Sequence, residues 1–475
     1  MKYCDLGIIG MGVMGRNLAE NFAGHGYRVA CHDQRPETLD RIGAGTGQAK
    51  PITTTTDPRS FVAALRRPRI LLAMVPTGPP VETVLDTFLP HLDAGDIIID
   101  GGNSHFRDTC MRESQCARQG VDFIGLGVSG GSDGARKGPC LMAGGPAKAW
   151  AKVGPMLERI SARDRSGQPC CARVGPDGSG HFVKMAHNGI EYAELQLIAE
   201  AHLFMRYLLG MPHDVAAEAF SNWSGTEAGS FLVDAAVKVL RRHNPEGKPV
   251  IDCIADRSQQ KGTGRWTVKS AWSLGVPMPV VSASVNARYL SNQKDLHSIK
   301  TRRCAALRQT TLSPDGLLDA FIAAKIIAFS EGFSLLEEAS KAFAWNLDLQ
   351  RISALWQGGC ILQSNLLELA HAVFSHADET SKGLPFALRE PVRKRLAELA
   401  PGWREVLHEA TDENMPVPAH SAALSTYDAW RFPESGARLV QGMRDFFGGH
   451  GFERIDRPGG EIHREPWRAH EVIIS

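Results

Sequence analysis

The chain has 475 residues, and its 53 basic and 52 acidic side chains leave a formal charge of +1 beside 17 histidines. That balance argues against a nucleic-acid binder, which carries a clustered basic excess. With 43% hydrophobic and 22% charged residues the composition is globular, and no apolar run reaches the ~18 residues of a membrane span. At ~150 residues per domain the length allows about three domains. Glycine is in excess, 48 residues or about one in ten against a usual ~7%, and glycines collect where backbone comes close to a ligand.

In chain order, Leu6 to Ile9 is predicted as a strand, followed by a glycine-rich turn and a helix through Ala23. Arg28 to His32, Ile70 to Val75, Ile97 to Asp100 and Phe123 to Val128 are the next predicted strands. Their alternation with helical patterns predicts a parallel sheet with crossover helices. A strand signal by Asp5 leaves no room for a signal peptide. The ten cysteines are scattered, with no C-x-x-C pair and no zinc-spaced Cys/His group. A reducing cytosol and no metal site are expected from this usage. The adjacent Cys170 and Cys171 read as buried free thiols rather than a redox device. The breaker-dense stretch Ser166 to Gly180 reads as a loop at a domain boundary. From His181 onward the chain is helix-patterned, with Ala320 to Phe343 and Leu347 to Cys360 as helices. The last thirty residues, with Gly448-Gly449 and Gly459-Gly460, read as an extended tail.

Gly10-Met11-Gly12-Val13-Met14-Gly15 fits G-x-G-x-x-G. Its place after a predicted strand and at the start of a helix is the setting in which that pattern binds a dinucleotide. The glycines allow a tight turn and close pyrophosphate approach, and the helix start offers free N–H groups. Asp33, at the end of the second strand, suits the ribose diol of NAD, whereas Arg35 suits the 2′-phosphate of NADP. The two signals oppose each other.

Two strand ends carry glycine with polar groups, Asp100-Gly101-Gly102-Asn103-Ser104 and Val128-Ser129-Gly130-Gly131. Ligands of open parallel sheets bind at such carboxyl ends. Asn103 can donate and accept hydrogen bonds, and Ser129 with the N–H groups after it forms a nest suited to a carboxylate. If Gly180 to Tyr192 is helical, Lys184, His187, Asn188 and Glu191 share one stripe at i, i+3, i+4 and i+7, with Tyr192 at its edge. A lysine desolvated beside a cofactor serves as a base near neutral pH, and Glu191 supplies a complementary acid. Gly189 costs this helix about 1 kcal/mol relative to alanine, which points to close packing or ligand approach.

These segments together resemble the 6-phosphogluconate dehydrogenase family over nearly the whole chain. The resemblance continues through Gln260-Lys-Gly-Thr-Gly-Arg-Trp-Thr267, Val285-Asn-Ala-Arg288 and Arg444-Asp-Phe-Phe-Gly-Gly-His-Gly-Phe-Glu-Arg454. It implies an α/β Rossmann-type domain (residues 1–178), a large all-α substrate and dimerisation domain (179–444) and an extended C-terminal tail (445–475) that reaches the partner subunit of a homodimer. It implies oxidative decarboxylation of 6-phosphogluconate to ribulose 5-phosphate in the pentose phosphate pathway, with Lys184 as base and Glu191 as acid and without a metal. Ser129, Gly130 and Gly131 would hold the substrate carboxylate, and Asn103, His187 and Asn188 its hydroxyls. Tyr192, Lys261, Thr263, Arg288 and Arg444 would surround the phosphate, with His450 nearby. Gly10 to Gly15, Asp33, Gln34, Arg35, Val75 and Asn103 would line the coenzyme. NADP is the family's coenzyme, yet Asp33-Gln34-Arg35 stands where Asn-Arg-Thr is common and Pro76 where a lysine is common. Both departures remove adenine-side features tied to NADP, which leaves NAD or dual use open. Phe446 replaces a common tyrosine.

Two other classes compete with this reading. One is a β-hydroxyacid dehydrogenase for an unphosphorylated acid, which three cations at Lys261, Arg288 and Arg444 speak against. The other is a dinucleotide-binding scaffold without turnover, which intact Lys184 and Glu191 speak against.

Overall fold

A computed structural model describes residues 3–40, 42, 51–293, 314–376 and 383–467. Cys304 and residues 468–475 of the expected tail lie outside them. The chain forms two compact units, Met1–Ala423 and Leu424–Ser475.

The first unit is built on an eight-stranded sheet of β1 (Leu6–Ile9), β2 (Val29–His32), β3 (Ile52–Thr55), β4 (Ile70–Ala73), β5 (Ile97–Asp100), β6 (Asp122–Ser129), β7 (Cys140–Gly144) and β8 (Cys171–Gly175). The strand order is β3-β2-β1-β4-β5-β6-β7-β8. β1, β2, β4, β5 and β6 are short apolar runs buried along their whole length, as strands covered on both faces must be. The strand order reverses between β1 and β4, which opens a crevice at their carboxyl ends.

The structure amends the expected elements in five places. β3 is a further strand; its Ile-Thr-Thr-Thr run lies half exposed at the sheet edge, without an apolar signal. β7 pairs antiparallel with β6, so the sheet is mixed rather than parallel. β8 sits inside the stretch expected to be a loop, and its middle residues Ala172 and Arg173 are only partly buried, which leaves no continuous apolar signal. The helix expected over Leu347 to Cys360 covers only Leu349–Leu355, and Gly359, at φ +60°, turns the chain away. The tail is not extended throughout, since Ala437–Gly448 is a helix and Phe452–Glu453 pairs antiparallel with Ile462–His463.

Beyond β8, the 25-residue helix Ser179–Leu203 is buried around almost its whole first half. Such a helix is a core element rather than a surface one. Its head lies directly on the backbone of the sheet. A Cβ on Gly180 would come within 2.4 Å of Gly125 O and Gly144 N, and one on Gly127 within 2.5 Å of Lys184 Cβ. On its other side the helix Pro314–Ala342 approaches closely at Gly332, opposite Ile190. The two helices share a fully buried ion pair, Lys325 Nζ to Glu194 Oε1 at 3.0 Å. Removing one partner of such a pair strands the other charge in the interior.

The second unit is organised by Asp445. Its carboxylate accepts hydrogen bonds from the N–H groups of Gly451 (2.7 Å) and Glu465 (3.0 Å) and from the Trp467 indole (2.8 Å).

The obstacles around Gly180 are backbone atoms that cannot rotate away. Gly180→Ala should therefore lower the unfolding free energy by about 3 kcal/mol, the upper end of overpacking costs. Urea unfolding measures this, and a wild-type midpoint would contradict the close docking.

Candidate active site

The glycine-rich turn has the geometry of a phosphate cradle. Gly10 adopts φ +91°, and a Cβ on Gly15 would lie 2.0 Å from Gly10 O. Around Gly12 a Cβ would meet nothing within 4 Å. The outer glycines thus close the turn and the middle one opens it to a ligand. No side chain caps the helix Val13–Gly24, which starts here, so its first N–H groups face the crevice mouth as anion donors. Met11 is buried and Val13 exposed, and Val75 packs within 3.0 Å of the Cβ position of Gly10. These residues fit a dinucleotide pyrophosphate.

Asp33 ties the turn to β2. One carboxylate oxygen accepts the Met11 N–H at 2.8 Å, and the other accepts the Arg35 N–H at 3.0 Å and its Nε at 3.4 Å. Burial alone would raise the Asp33 carboxyl, but these donors and the Arg35 charge outweigh it and hold its pKa below the ordinary value. Gln34 and Arg35 are exposed beside it.

The loop after β5 is shaped by buried Asp100, which accepts the Gly102 N–H (3.0 Å) and the Ser104 hydroxyl (2.6 Å) and pairs with Arg112 (3.3 Å). Those bonds leave Asn103 exposed between two buried neighbours. At the end of β6, Ser129 is buried, and Gly130 and Gly131 take φ +108° and +61°. A Cβ on Gly130 would strike Gly359 O at 2.5 Å.

Facing these loops, the helix Ser179–Leu203 buries Lys184, His187 and Asn188, while Glu191 stays partly exposed. His187 Nε2 lies 3.1 Å from Ser129 Oγ and 2.7 Å from Cys360 Sγ. Its Nδ1 lies 3.1 Å from Asn188 Oδ1 and 3.8 Å from Glu191 Oε2, and Trp356 meets the ring edge to face. Toward the other end of the stripe, the Arg288 guanidinium stacks 3.6 Å from the centre of the Tyr192 ring. Gly264 approaches that ring so closely that a Cβ would lie 2.6 Å from it, and Gly189 likewise meets Thr267 at 2.5 Å. Thr263 is buried at the start of the helix Thr263–Ser273, and Lys261 is exposed just before it. The structure thus gathers Ser129, Lys184, His187 and Asn188 into one group, with Tyr192 farther along the same helix, Arg288 of another helix stacked on its ring and Thr263 next to the Gly264 that meets that ring. Arg444 and His450 belong to the second unit, where Arg444 Nη1 donates to Gln441 Oε1 at 3.1 Å and His450 meets the Phe447 ring edge to face.

Cys360 is a member of this group that the sequence reading passed over, because it closed a segment expected to be helical. The Gly358-Gly359 pair before it was the available signal. Burial alone would raise the Cys360 thiol. The hydrogen bond from Cys140, the charge and hydrogen bond of His187 and the charge of Lys184 outweigh that and hold it well below the usual thiol range.

A nucleotide-binding turn, a crevice at the strand ends and a buried lysine on the helix crossing it define an NAD(P)-linked dehydrogenase. Residues 5–175 match the NAD binding domain of 6-phosphogluconate dehydrogenase, and residues 180–467 match its C-terminal domain. The chain is 40% identical over 476 residues to the decarboxylating 6-phosphogluconate dehydrogenase of Treponema pallidum, covering 98% of this chain and 96% of that one. It is 38% identical to the enzyme of that name from Caenorhabditis elegans, again covering 98% and 96%. The solved structure of Plasmodium falciparum 6-phosphogluconate dehydrogenase, studied apo and with its cofactor NADP+ and its substrate 6-phosphogluconate, superposes with a TM-score of 0.91. It is 30% identical, with 98% of this chain and 100% of that one covered. The chain belongs to the 6-phosphogluconate dehydrogenase family.

A thiol held well below its usual pKa stays ionised at lower pH than an ordinary thiol. Ultraviolet thiolate absorbance, followed from about pH 8 to about pH 6, should persist in the wild type and vanish in Cys360→Ser. Its absence from the folded wild type would contradict the assignment.

Proposed function

We propose that this protein oxidises and decarboxylates 6-phosphogluconate to ribulose 5-phosphate and carbon dioxide while reducing a nicotinamide coenzyme. The observation that carries this reading is the buried Lys184 on the helix turn that joins His187 to Ser129 at the end of β6. When bound, the nicotinamide accepts the hydride from carbon 3 of the substrate. Lys184 takes the proton from the carbon 3 hydroxyl as that bond to hydrogen breaks. The product is a β-keto acid, so carbon dioxide departs with its electron pair delocalised into the ketone. Protonated Lys184 then neutralises the enolate oxygen, which is the role a metal would otherwise fill. Glu191, at the wetter end of the stripe, protonates carbon 1 of the enediol.

Ser129 with the backbone N–H groups of Gly130 and Gly131 holds the substrate carboxylate, and Asn103, His187 and Asn188 orient its hydroxyls. Tyr192, Lys261, Thr263 and Arg288 receive the phosphate, for which charge-assisted bonds are suited. Arg444 and His450 complete that site from the partner of a homodimer, as the family resemblance implies. The second unit supports such pairing, because Leu439, Val440 and Phe447 are 70%, 55% and 71% exposed on one chain and large exposed apolar patches mark interaction surfaces. By the same resemblance, residues 1–178, 179–444 and 445–475 serve as coenzyme domain, substrate and dimer domain, and tail.

Gly10 to Gly15, Asp33, Gln34, Arg35, Val75 and Asn103 would hold the coenzyme. We read the coenzyme as NADP with NAD also used. Asp33 repels a 2′-phosphate, and the paired Arg35, 67% exposed, offsets part of that charge.

Lys184→Met should cut turnover by at least about a thousandfold, within the range of a lost general base, while dinucleotide binding by titration stays near wild type. Unchanged turnover would remove Lys184 as the base. The double change Asp33→Asn with Gln34→Arg should move the ratio of kcat/KM toward NADP. An unmoved ratio would show that these residues do not set coenzyme choice.

A further inference from the structure

Cys360 is not alone in its pocket. Cys140 opens β7, and its N–H donates to Gly359 O at 2.9 Å, which sets the two cysteines side by side across adjoining backbone. Both are free and buried, at 0% and 3% exposure, and the Cys140 thiol donates a hydrogen bond to the Cys360 sulfur. Cys360 Sγ also lies 2.7 Å from His187 Nε2, receives the Ser129 hydroxyl at 3.7 Å and the Leu362 N–H at 3.3 Å. Two buried thiols brought together by the Cys140–Gly359 backbone bond, one of them held by the side chains that line the substrate site, are arranged for more than packing.

We propose that Cys140 and Cys360 form a reversible disulfide on exposure to a hydroperoxide, and that this bond switches the enzyme off. The Cys360 thiolate attacks one peroxide oxygen, and the O–O bond breaks. The departing oxygen takes a proton and leaves as water, or as an alcohol from an alkyl hydroperoxide, while Cys360 becomes a sulfenic acid. Cys140 then loses its proton, and its sulfur displaces hydroxide from the sulfenic sulfur, which leaves as a second water. Two electrons have passed from the two sulfurs to the peroxide. The division of labour follows the surroundings. Burial and its hydrogen bond with Cys360 hold the Cys140 thiol protonated, so it resolves rather than attacks, whereas the charges of His187 and Lys184 keep Cys360 reactive.

A disulfide draws the sulfurs to about 2.05 Å and removes the anion that His187 and Ser129 share. The site then loses the acceptor that orients both side chains. This loss of activity rests on the function proposed above; the formation of the bond does not. Cys170 lies close by, with its sulfur 3.1 Å from the Cβ position of Gly358. Its backbone N–H, however, donates to Ala162 O, whereas that of Cys140 donates to Gly359 O, the residue beside Cys360, which singles out Cys140 as the partner.

The test treats reduced full-length enzyme with a small excess of hydrogen peroxide, blocks free thiols, maps peptides without reduction and assays the same samples. A peptide joining Cys140 to Cys360 is expected, with activity down at least about tenfold, as for a lost charged hydrogen bond, and restored by dithiothreitol. Cys140→Ser should keep the untreated activity, lose the link and become irreversibly inactivated, since Cys360 then oxidises further. Unlinked cysteines in oxidised wild type, a Cys170 to Cys360 link, or reversible inactivation of Cys140→Ser would each overturn the proposal. A Cys140 to Cys360 link with full activity would overturn the switch. If untreated enzyme fails to reduce nicotinamide with 6-phosphogluconate, the proposed function fails, and the peptide map still decides whether the bond forms.

Discussion

The contact on which the site depends is the one made without side chains, where Gly180 at the head of the long helix rests on the backbone of β6 and β7. Gly180, Gly125, Gly144 and Gly127 let the helix and the sheet approach until carbonyls and N–H groups touch. That approach fixes the helix in both height and rotation. Lys184 comes one turn later, packed on Gly127, and His187 one turn after that, within reach of Ser129. A helix docked through long side chains would carry the same residues with an ångström or more of freedom, and catalytic geometry does not tolerate that freedom.

The surrounding electrostatics follow from the same placement. The helix brings a lysine and a histidine to the end of β6, and the turn after Leu349–Leu355 brings Cys360 to meet them. Two cationic or proton-bearing groups beside one sulfur favour its anionic form, and that anion in turn gives His187 a fixed partner. On the coenzyme side Asp33 works similarly. Its carboxylate is a structural tie between β2 and the glycine-rich turn, as well as a charge at the adenine end. One group thereby shapes the glycine-rich turn and, under the proposed function, also weighs on coenzyme choice.

Much of this was legible in the sequence. The first strand, its turn and its helix were set by an uninterrupted apolar run and three glycines, and Lys184, His187 and Asn188 fell on one stripe by helical spacing alone. What could not be read was whatever depends on neighbours far along the chain. β3 is half exposed at an edge, and β8 hides among Gly, Pro and Asp, so neither has the periodicity of a buried strand. The antiparallel turn of β7 is a matter of sheet register, which five buried residues do not encode. Cys360 was invisible as a site residue because it lies 173 positions from the histidine it contacts. The glycine excess did point the right way, since Gly358 and Gly359 mark the place where that segment leaves its helix to reach the strand end.

The central claim is that one helix, seated on the glycine-lined backbone of β6 and β7, positions the residues for both oxidation and decarboxylation of one substrate. Counting both products from one reaction tests it most directly. With 6-phosphogluconate and NADP or NAD, folded enzyme should release one carbon dioxide for each nicotinamide reduced. Nicotinamide reduction without carbon dioxide, or no reduction with either coenzyme, would contradict it.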